Sequence, residues 1–198
     1  MKYLFKEKEN KEILMEPSRK GDWIQTFSGV HFYSLDPRPE EIRLVDIAHA
    51  LSMQCRFTGH TSDFYSVAQH SLYVSQICDP VNALWGLLHD ASEAYLVDVA
   101  RPVKLQPEML AYREAENRLM ACITKRFNLL SPTMPPDVHA ADQTMLGAEA
   151  AALMKATDNS HWAKWMTPAA VKIRVVPISD WRTVRGMFID RAMELGAR

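Results

Sequence analysis

The run ALWGLLHDASEAYL (residues 83–96) places His89 and Asp90 inside an apolar, helix-forming stretch. An ionised carboxylate buried without a counter-charge is so costly that it must find a partner or lose its charge. A divalent ion held jointly by His89 and Asp90 meets that demand. Adjacent residues diverge by about 100° around an α-helix, so the two share an ion only over the edge between them. The remaining ligands then have to come from other segments. His70 in VAQHS (67–71) and Asp142 in HAAD (139–142) are the candidates, giving the order His…His-Asp…Asp. Taken singly, His70 reads as a core histidine and Asp142 as a helix-surface carboxylate; their joint occurrence carries the weight.

Around this feature the chain reads as mostly helical. Residues 1–20 form a charged N-terminal arm, and GDWIQTFSGVHFY (21–33) alternates around Ser28-Gly29 as a β-hairpin. Pro39-Glu40-Glu41 suits a helix start, with Ile42, Val45, Ala48 and Leu51 at helical spacing. RFTGHTSDFY (56–65) reads as a loop, and Ser66 as the N-cap of a helix reaching Ile77. One helix over 81–95 carries the central motif, whereas Pro102 makes 97–104 resist helix. Further helices are expected over 107–127 and from Pro136 to 156, with a short strand over 171–176 and a last helix, 180–194, capped by Ser179. The expected architecture is all-α, a helical bundle with a small N-terminal hairpin, and residues 21–198 form a single domain.

With 47% hydrophobic and 24% charged residues, the composition is that of an ordinary globular protein. A net charge of -1 supplies no field to recruit a nucleic-acid polymer or an anionic membrane, though it permits a local basic pocket. The first twelve residues lack the apolar core of a signal peptide, and no run approaches the ~20 residues of a membrane span. Cys55, Cys78 and Cys122 are odd in number and lack metal-type spacing, and so read as reduced thiols of a cytoplasmic protein.

Glu93 lies one helical turn from His89, beside the expected ion rather than on it. There it either assists a water's proton transfer or is a solvated carboxylate. Asp98 is a second acid–base group, an outer partner of the ion, or a loop carboxylate. Arg56, His60, Thr61, Arg101 and Lys104 flank the ligand candidates as donors for phosphate, and Arg113 adds a further cation. Trp23 and Ile24 are core residues or a platform on which a base stacks; Met145, Met154 and Met166 read as core filler. Two His and two Asp accept Zn2+, Mn2+, Fe2+, Co2+ or Ni2+ without selecting among them.

The runs RFTGHT (56–61), YSVAQHS (65–71), LLHDASEAY (87–95), DVARPVK (98–104) and Ala141-Asp142 resemble the HD-domain metal-dependent phosphohydrolases. Within them they resemble the small nucleotide hydrolases: 5′-deoxynucleotidases of the YfbR type and phage dATP triphosphohydrolases of the DatZ type. The resemblance covers roughly residues 20–155. It implies an all-α HD fold, homo-oligomeric, acting on deoxynucleotides in the cytoplasm, of the host if virus-encoded. It also implies His70, His89, Asp90 and Asp142 as ligands, Glu93 positioning the attacking water, and Arg56, Lys104 and His60 on phosphate. Asp22-Trp23-Ile24 looks like the adenine-edge pair of the triphosphohydrolase branch. The expected activity is therefore a dNTP triphosphohydrolase preferring dATP, with additional Mg2+ or Co2+ accompanying the substrate phosphates. The alternatives are a 5′-nucleotidase for deoxynucleoside monophosphates and a non-catalytic nucleotide-binding domain.

Overall fold

The computed structural model describes residues 19–155 and 162–197. The expected arm lies outside the described residues except for Arg19 and Lys20. Arg19 is fixed by ion pairs to Asp36 (2.9 Å) and Glu41 (2.6 Å). The hairpin forms around Ser28-Gly29 as its alternation predicts. Its strands β1 (Ile24–Gln25) and β2 (His31–Phe32) pair antiparallel, Ile24 opposite Phe32 and Gln25 opposite His31. Gly29 takes φ +84°, a left-handed conformation that costs glycine little, and its N–H donates to Thr26 O at 3.0 Å to close the turn. Two contacts fasten the hairpin to the helices. Buried Asp46 accepts from Ser28 N and Oγ at 2.7 and 2.8 Å, and Phe32 stacks on Tyr95 at 4.0 Å.

Among the described residues, the chain after the hairpin is helix or connection, with one isolated bridge between Cys55 and Ser66. The longer helices are α1 (Leu44–Met53), α2 (Val67–Ile77), α6 (Leu110–Arg126), α7 (Pro136–Leu153) and α8 (Trp181–Glu194). Helix α2 is the hub. Its Ser66 cap accepts the Gln69 N–H at 3.1 Å. Val67, Ala68 and Leu72 enter one buried cluster with Ile47, Leu51, Leu119, Ile123 and Phe188. Val74 enters a second with Trp85, Val138, Met145 and Val175. His70 thus sits on the helix shared by both clusters, with no exposed surface.

Four local expectations are corrected. The helix expected over 81–95 is a 3-10 turn (Pro80–Asn82), α3 (Ala83–Leu88), four residues of tight turns, and α4 (Glu93–Leu96). The cause is His89, whose Nδ1 bonds Gly86 O at 2.7 Å. Beyond it the backbone bonds shorten to i→i−3: Ala91 to Leu88, Glu93 to Asp90 and Ala94 to Ala91. Residues 101–104 do form a helical turn, α5 (Arg101–Lys104), because Pro102 occupies its first turn, where a missing N–H is harmless. The last helix is capped by Asp180 rather than Ser179; its carboxylate accepts from Arg182 N at 3.1 Å and Thr183 Oγ1 at 2.7 Å. Finally, no strand forms over 171–176. A 3-10 turn (Ala170–Lys172) leads into extended chain whose polar groups are met by α2 side chains. Gln69 donates to Val176 O at 2.7 Å and accepts from Ile178 N at 3.0 Å, while Tyr73 Oη accepts from Val176 N at 3.3 Å.

Gln69 therefore does for this segment what a neighbouring strand would do. Leaving two backbone groups unpaired costs about 1–3 kcal/mol each where they stay buried. Gln69→Ala should lower stability by about that amount in urea unfolding, and an unchanged midpoint would show that water replaces both bonds at no cost.

Candidate metal centre and its cavity

Three elements bring the four expected ligands together. His70 comes from α2, His89 and Asp90 from the turn after α3, and Asp142 from α7. His70 Nε2 and His89 Nε2 are 3.2 Å apart. Asp90 Oδ2 lies 3.1 Å from His89 Nε2 and 3.7 Å from His70 Nε2. Asp142 Oδ1 lies 3.3 Å from His70 Nε2 and 4.0 Å from His89 Nε2. The ligand atoms of His70, His89 and Asp90 fall within 4.8 Å of one another, a group that can hold a metal ion.

The tautomers support that fit. Gly86 O and the Glu149 carboxylate can only accept, so His89 Nδ1 and His70 Nδ1 are the donors, at 2.7 and 2.6 Å. In neutral rings both Nε2 lone pairs then face each other amid carboxylate oxygens. A cation relieves this repulsion, and donors at about 2.0–2.2 Å from one ion sit roughly 3 Å apart. A carboxylate or carbonyl orienting the ligating imidazole from behind is the usual second layer of such sites.

Glu149 anchors this second layer. It has no exposed surface and accepts from Tyr65 Oη at 2.9 Å, Arg56 Nε at 3.1 Å and His70 Nδ1 at 2.6 Å. Arg56, expected on phosphate, is thus first a partner of Glu149, and its Nη1 also lies 3.6 Å from Asp90 Oδ2. Glu93 is buried rather than solvated. Its Oε1 meets Lys104 Nζ at 3.4 Å, and its Oε2 has no hydrogen-bond partner among the described residues. Lys104 also pairs with Glu116 at 2.8 Å. Gln54 braces the corner after α4, donating to Glu93 O at 3.0 Å and accepting from Asp98 N at 3.1 Å. Between them Val97 turns the chain at φ +68°, an unusual conformation for a β-branched residue.

These groups line a cavity of about 530 Å³, within the usual size range of small-molecule sites. Arg56, His60, Asp90, Glu93, Asp98, Arg101, Lys104 and Asp142 all border it. Trp23 and Ile24 are not among its walls. Trp23 stacks on His31 at 3.8 Å, and Ile24 borders a separate hollow beside Phe27, His49 and Tyr95. Met145 is core, but Met154 borders the cavity with Trp162 and Trp165. Sequence reasoning missed Glu149, Glu116, Gln54, Gln143 and both tryptophans. For Glu149 a signal existed. It lies seven residues after Asp142, on the same helix face, within the apolar run GAEAAAL (147–153).

No family model matches the chain. It is 39% identical over 175 residues to the uncharacterized protein YfdR of Escherichia coli K12, covering 87% of this chain and 95% of that protein. The chain belongs to the YfdR family. An uncharacterized protein of Rhodobacter capsulatus is 37% identical over 143 residues, covering 66% of this chain and 72% of its own length.

In this member of the YfdR family the site's titration is set by burial and close charges. Burial disfavours protonation of His89, but Asp90 and Asp142 override it and push the imidazole up to about 9. His70 also rises, since Glu149 and Asp142 outweigh burial and Arg56. Burial would raise Asp90, yet His89, His70 and Arg56 hold it well below the usual carboxylate range. Asp142, resisting burial through His70, lies at about 2. Glu93 is pushed well above an ordinary carboxyl by burial, reinforced by Asp90 and Asp98, and burial also raises Asp98.

For His89 the sign follows from linkage. Its proton stabilises the ion-free fold fully below pH 6.5, and that contribution is lost as pH rises through about 9. A bound ion replaces the proton. Thermal melts in chelator should therefore drop between those two pH values, whereas melts with Mn2+ should hold. A chelated protein whose Tm climbs over this interval would contradict the assignment.

Proposed function

We propose that the chain is a metal-dependent phosphohydrolase acting on deoxynucleoside 5′-monophosphates. The observation that carries this reading is the state of the cations beside the His–His–Asp cluster. Arg56 is engaged by Glu149 and Asp90, and Lys104 by Glu116 and Glu93. Arg113 spends its Nη1 on the carbonyls of Lys104 and Gln106. Among the described residues bordering the cavity, Arg101 is the one Lys or Arg outside these ion pairs. A phosphate monoester brings about −1.5 to −2 charges at neutral pH, a load that few cations and a divalent ion can balance. A triphosphate brings considerably more, and Trp23 and Ile24 stand away from the cavity it would occupy.

His70, His89, Asp90 and Asp142 would hold the ion. When bound, a divalent ion supplies Lewis acidity, drawing charge from a phosphoryl oxygen and making water easier to deprotonate. With the Asp90 and Asp98 charges that add to burial in raising Glu93 countered by a bound cation, Glu93 would accept the water's proton at Oε2, the oxygen that Lys104 leaves free among the described residues. The water oxygen bonds to phosphorus as the P–O5′ bond breaks. Asp98, which borders the cavity and is raised by burial, is assigned as the acid for the departing O5′. Arg101, the cavity-bordering cation outside these ion pairs, receives the phosphate oxygens.

With Mn2+ or Co2+ and separate dAMP and dATP incubations, deoxyadenosine and phosphate should appear faster from dAMP. Release of intact triphosphate from dATP as the faster reaction would replace this reading with the triphosphohydrolase. Glu93→Gln should retain metal while turnover falls by ~10²–10⁴-fold. Asp90→Ala should lose metal and turnover together, and full metal occupancy in that variant would remove Asp90 from the ligand set.

A further inference from the structure

We propose that the turn containing Trp162 and Trp165 is a stacking wall for a flat heteroaromatic ring, docked onto α7 beside the metal-ligand candidate Asp142. Taking that ring as the substrate's nucleobase rests on the phosphohydrolase reading above. Both indoles border the cavity that Asp90, Glu93 and Asp142 also border, and both are half-buried. Their ring centroids are 5.4 Å apart, and Phe57 meets Trp162 edge-on at 6.1 Å. A tryptophan serving only as core would be covered, as Trp85 is at 4% exposure. The pair instead gives an aromatic side to a cavity that also carries Asp90, Glu93, Asp98 and Asp142.

Two independent features hold this turn in register with the ion site. Trp165 Nε1 donates to Gln143 Oε1 at 3.0 Å, and Gln143 Nε2 donates to Asp142 Oδ2 at 3.3 Å. One helical turn further on, Gly147 permits close approach. A Cβ there would run into the Trp165 carbonyl and lie 3.2 Å from the Ala170 methyl. The glycine is thus required by contact, since no left-handed backbone is involved. Within the turn, Trp165 N donates to Trp162 O at 2.9 Å, which fixes the spacing of the two rings. Lys164 Nζ already lies over the Trp165 ring at 3.9 Å. Trp165 therefore serves as the buttress and Trp162 as the ring that meets the base.

Stacking on one aromatic side chain changes affinity by about 5- to 150-fold per base. The full-length protein with Mn2+ should accordingly favour dAMP over 2-deoxyribose 5-phosphate by about that factor in kcat/KM. Trp162→Ala should collapse the ratio towards one, and Trp162→Phe should keep most of it. An unchanged ratio in Trp162→Ala would overturn the wall and leave the hydrolase reading standing. Should the protein hydrolyse neither compound, the hydrolase reading falls, and binding decides the wall separately. Fluorine NMR of fluorotryptophan-labelled protein would be followed during titration with dAMP. Trp162→Phe and Trp165→Phe identify the two signals, with Trp23, Trp85 and Trp181 as internal references. Movement of the Trp162 signal with dAMP but not with 2-deoxyribose 5-phosphate upholds the wall. A signal that stays still up to millimolar dAMP overturns it.

Discussion

A carboxylate with no access to water, Glu149, fixes how the three ligand-bearing elements meet. Removing an ion from water costs several kcal/mol even after the protein relaxes, and the debt is met only by close donors in good geometry. Glu149 finds three: a guanidinium and a phenol from the 56–65 segment, and an imidazole from α2. Arg56 and His70 hold its pKa down against burial, so it is ionised when it accepts. Helix α7 is thereby locked to α2 and to the loop before it. Asp142, two turns earlier on α7, reaches the same place as His70 because of that lock.

The same bond sets the chemistry of His70. With Nδ1 committed to Glu149, only Nε2 has a lone pair to offer, and Gly86 O imposes the matching choice on His89. Both rings are therefore aimed before any ligand arrives, and the cost of aiming them lies in the fold. It shows in the broken helix between α3 and α4, where a side chain takes a carbonyl the backbone would otherwise use. It shows again at Glu93, whose Oε2 is buried and has no partner among the described residues. Such a group weakens the fold and is a strong acceptor, which is why proton-transfer residues are found in such settings.

The meeting of His70, His89, Asp90 and Asp142 was legible, and so was the hairpin, because each follows from a local rule. A charge in an apolar helix needs a counter-charge, and alternation around Ser-Gly turns back on itself. Ser66 was legible as a cap for the same reason. Partner choice was not legible. Arg56 announces a positive charge, but only the fold reveals that Glu149 claims it before any phosphate does. The extended chain after Lys172 has a strand's alternation, yet its hydrogen bonds go to Gln69, a hundred residues earlier, and no periodicity encodes that. Trp162 and Trp165 lie in a segment without helical or strand period, so nothing local marked them as bordering the cavity. Glu149 differed: the rule that exposed Asp90 applied to it equally, but the alanines around it read as packing.

On the phosphohydrolase reading proposed above, the cavity would present Asp90, Glu93, Asp98 and Asp142 to a substrate whose reacting group is itself an anion. Arg56 and Lys104 do not reverse this, since their charge is matched by Glu149 and Glu116 behind them. On that reading a divalent ion would contribute to phosphate binding as well as to reactivity. Linkage then works in both directions: whatever factor the ion adds to phosphate affinity, phosphate adds to ion affinity. An arrangement of this kind can release its ion readily when empty and grip it when loaded. The aromatic side of the cavity is exempt from that coupling, because stacking needs no charge. Recognition of a flat ring at one end and of ion plus phosphate at the other can therefore vary independently, the first through Trp162 and its anchor Gln143, the second through the carboxylates.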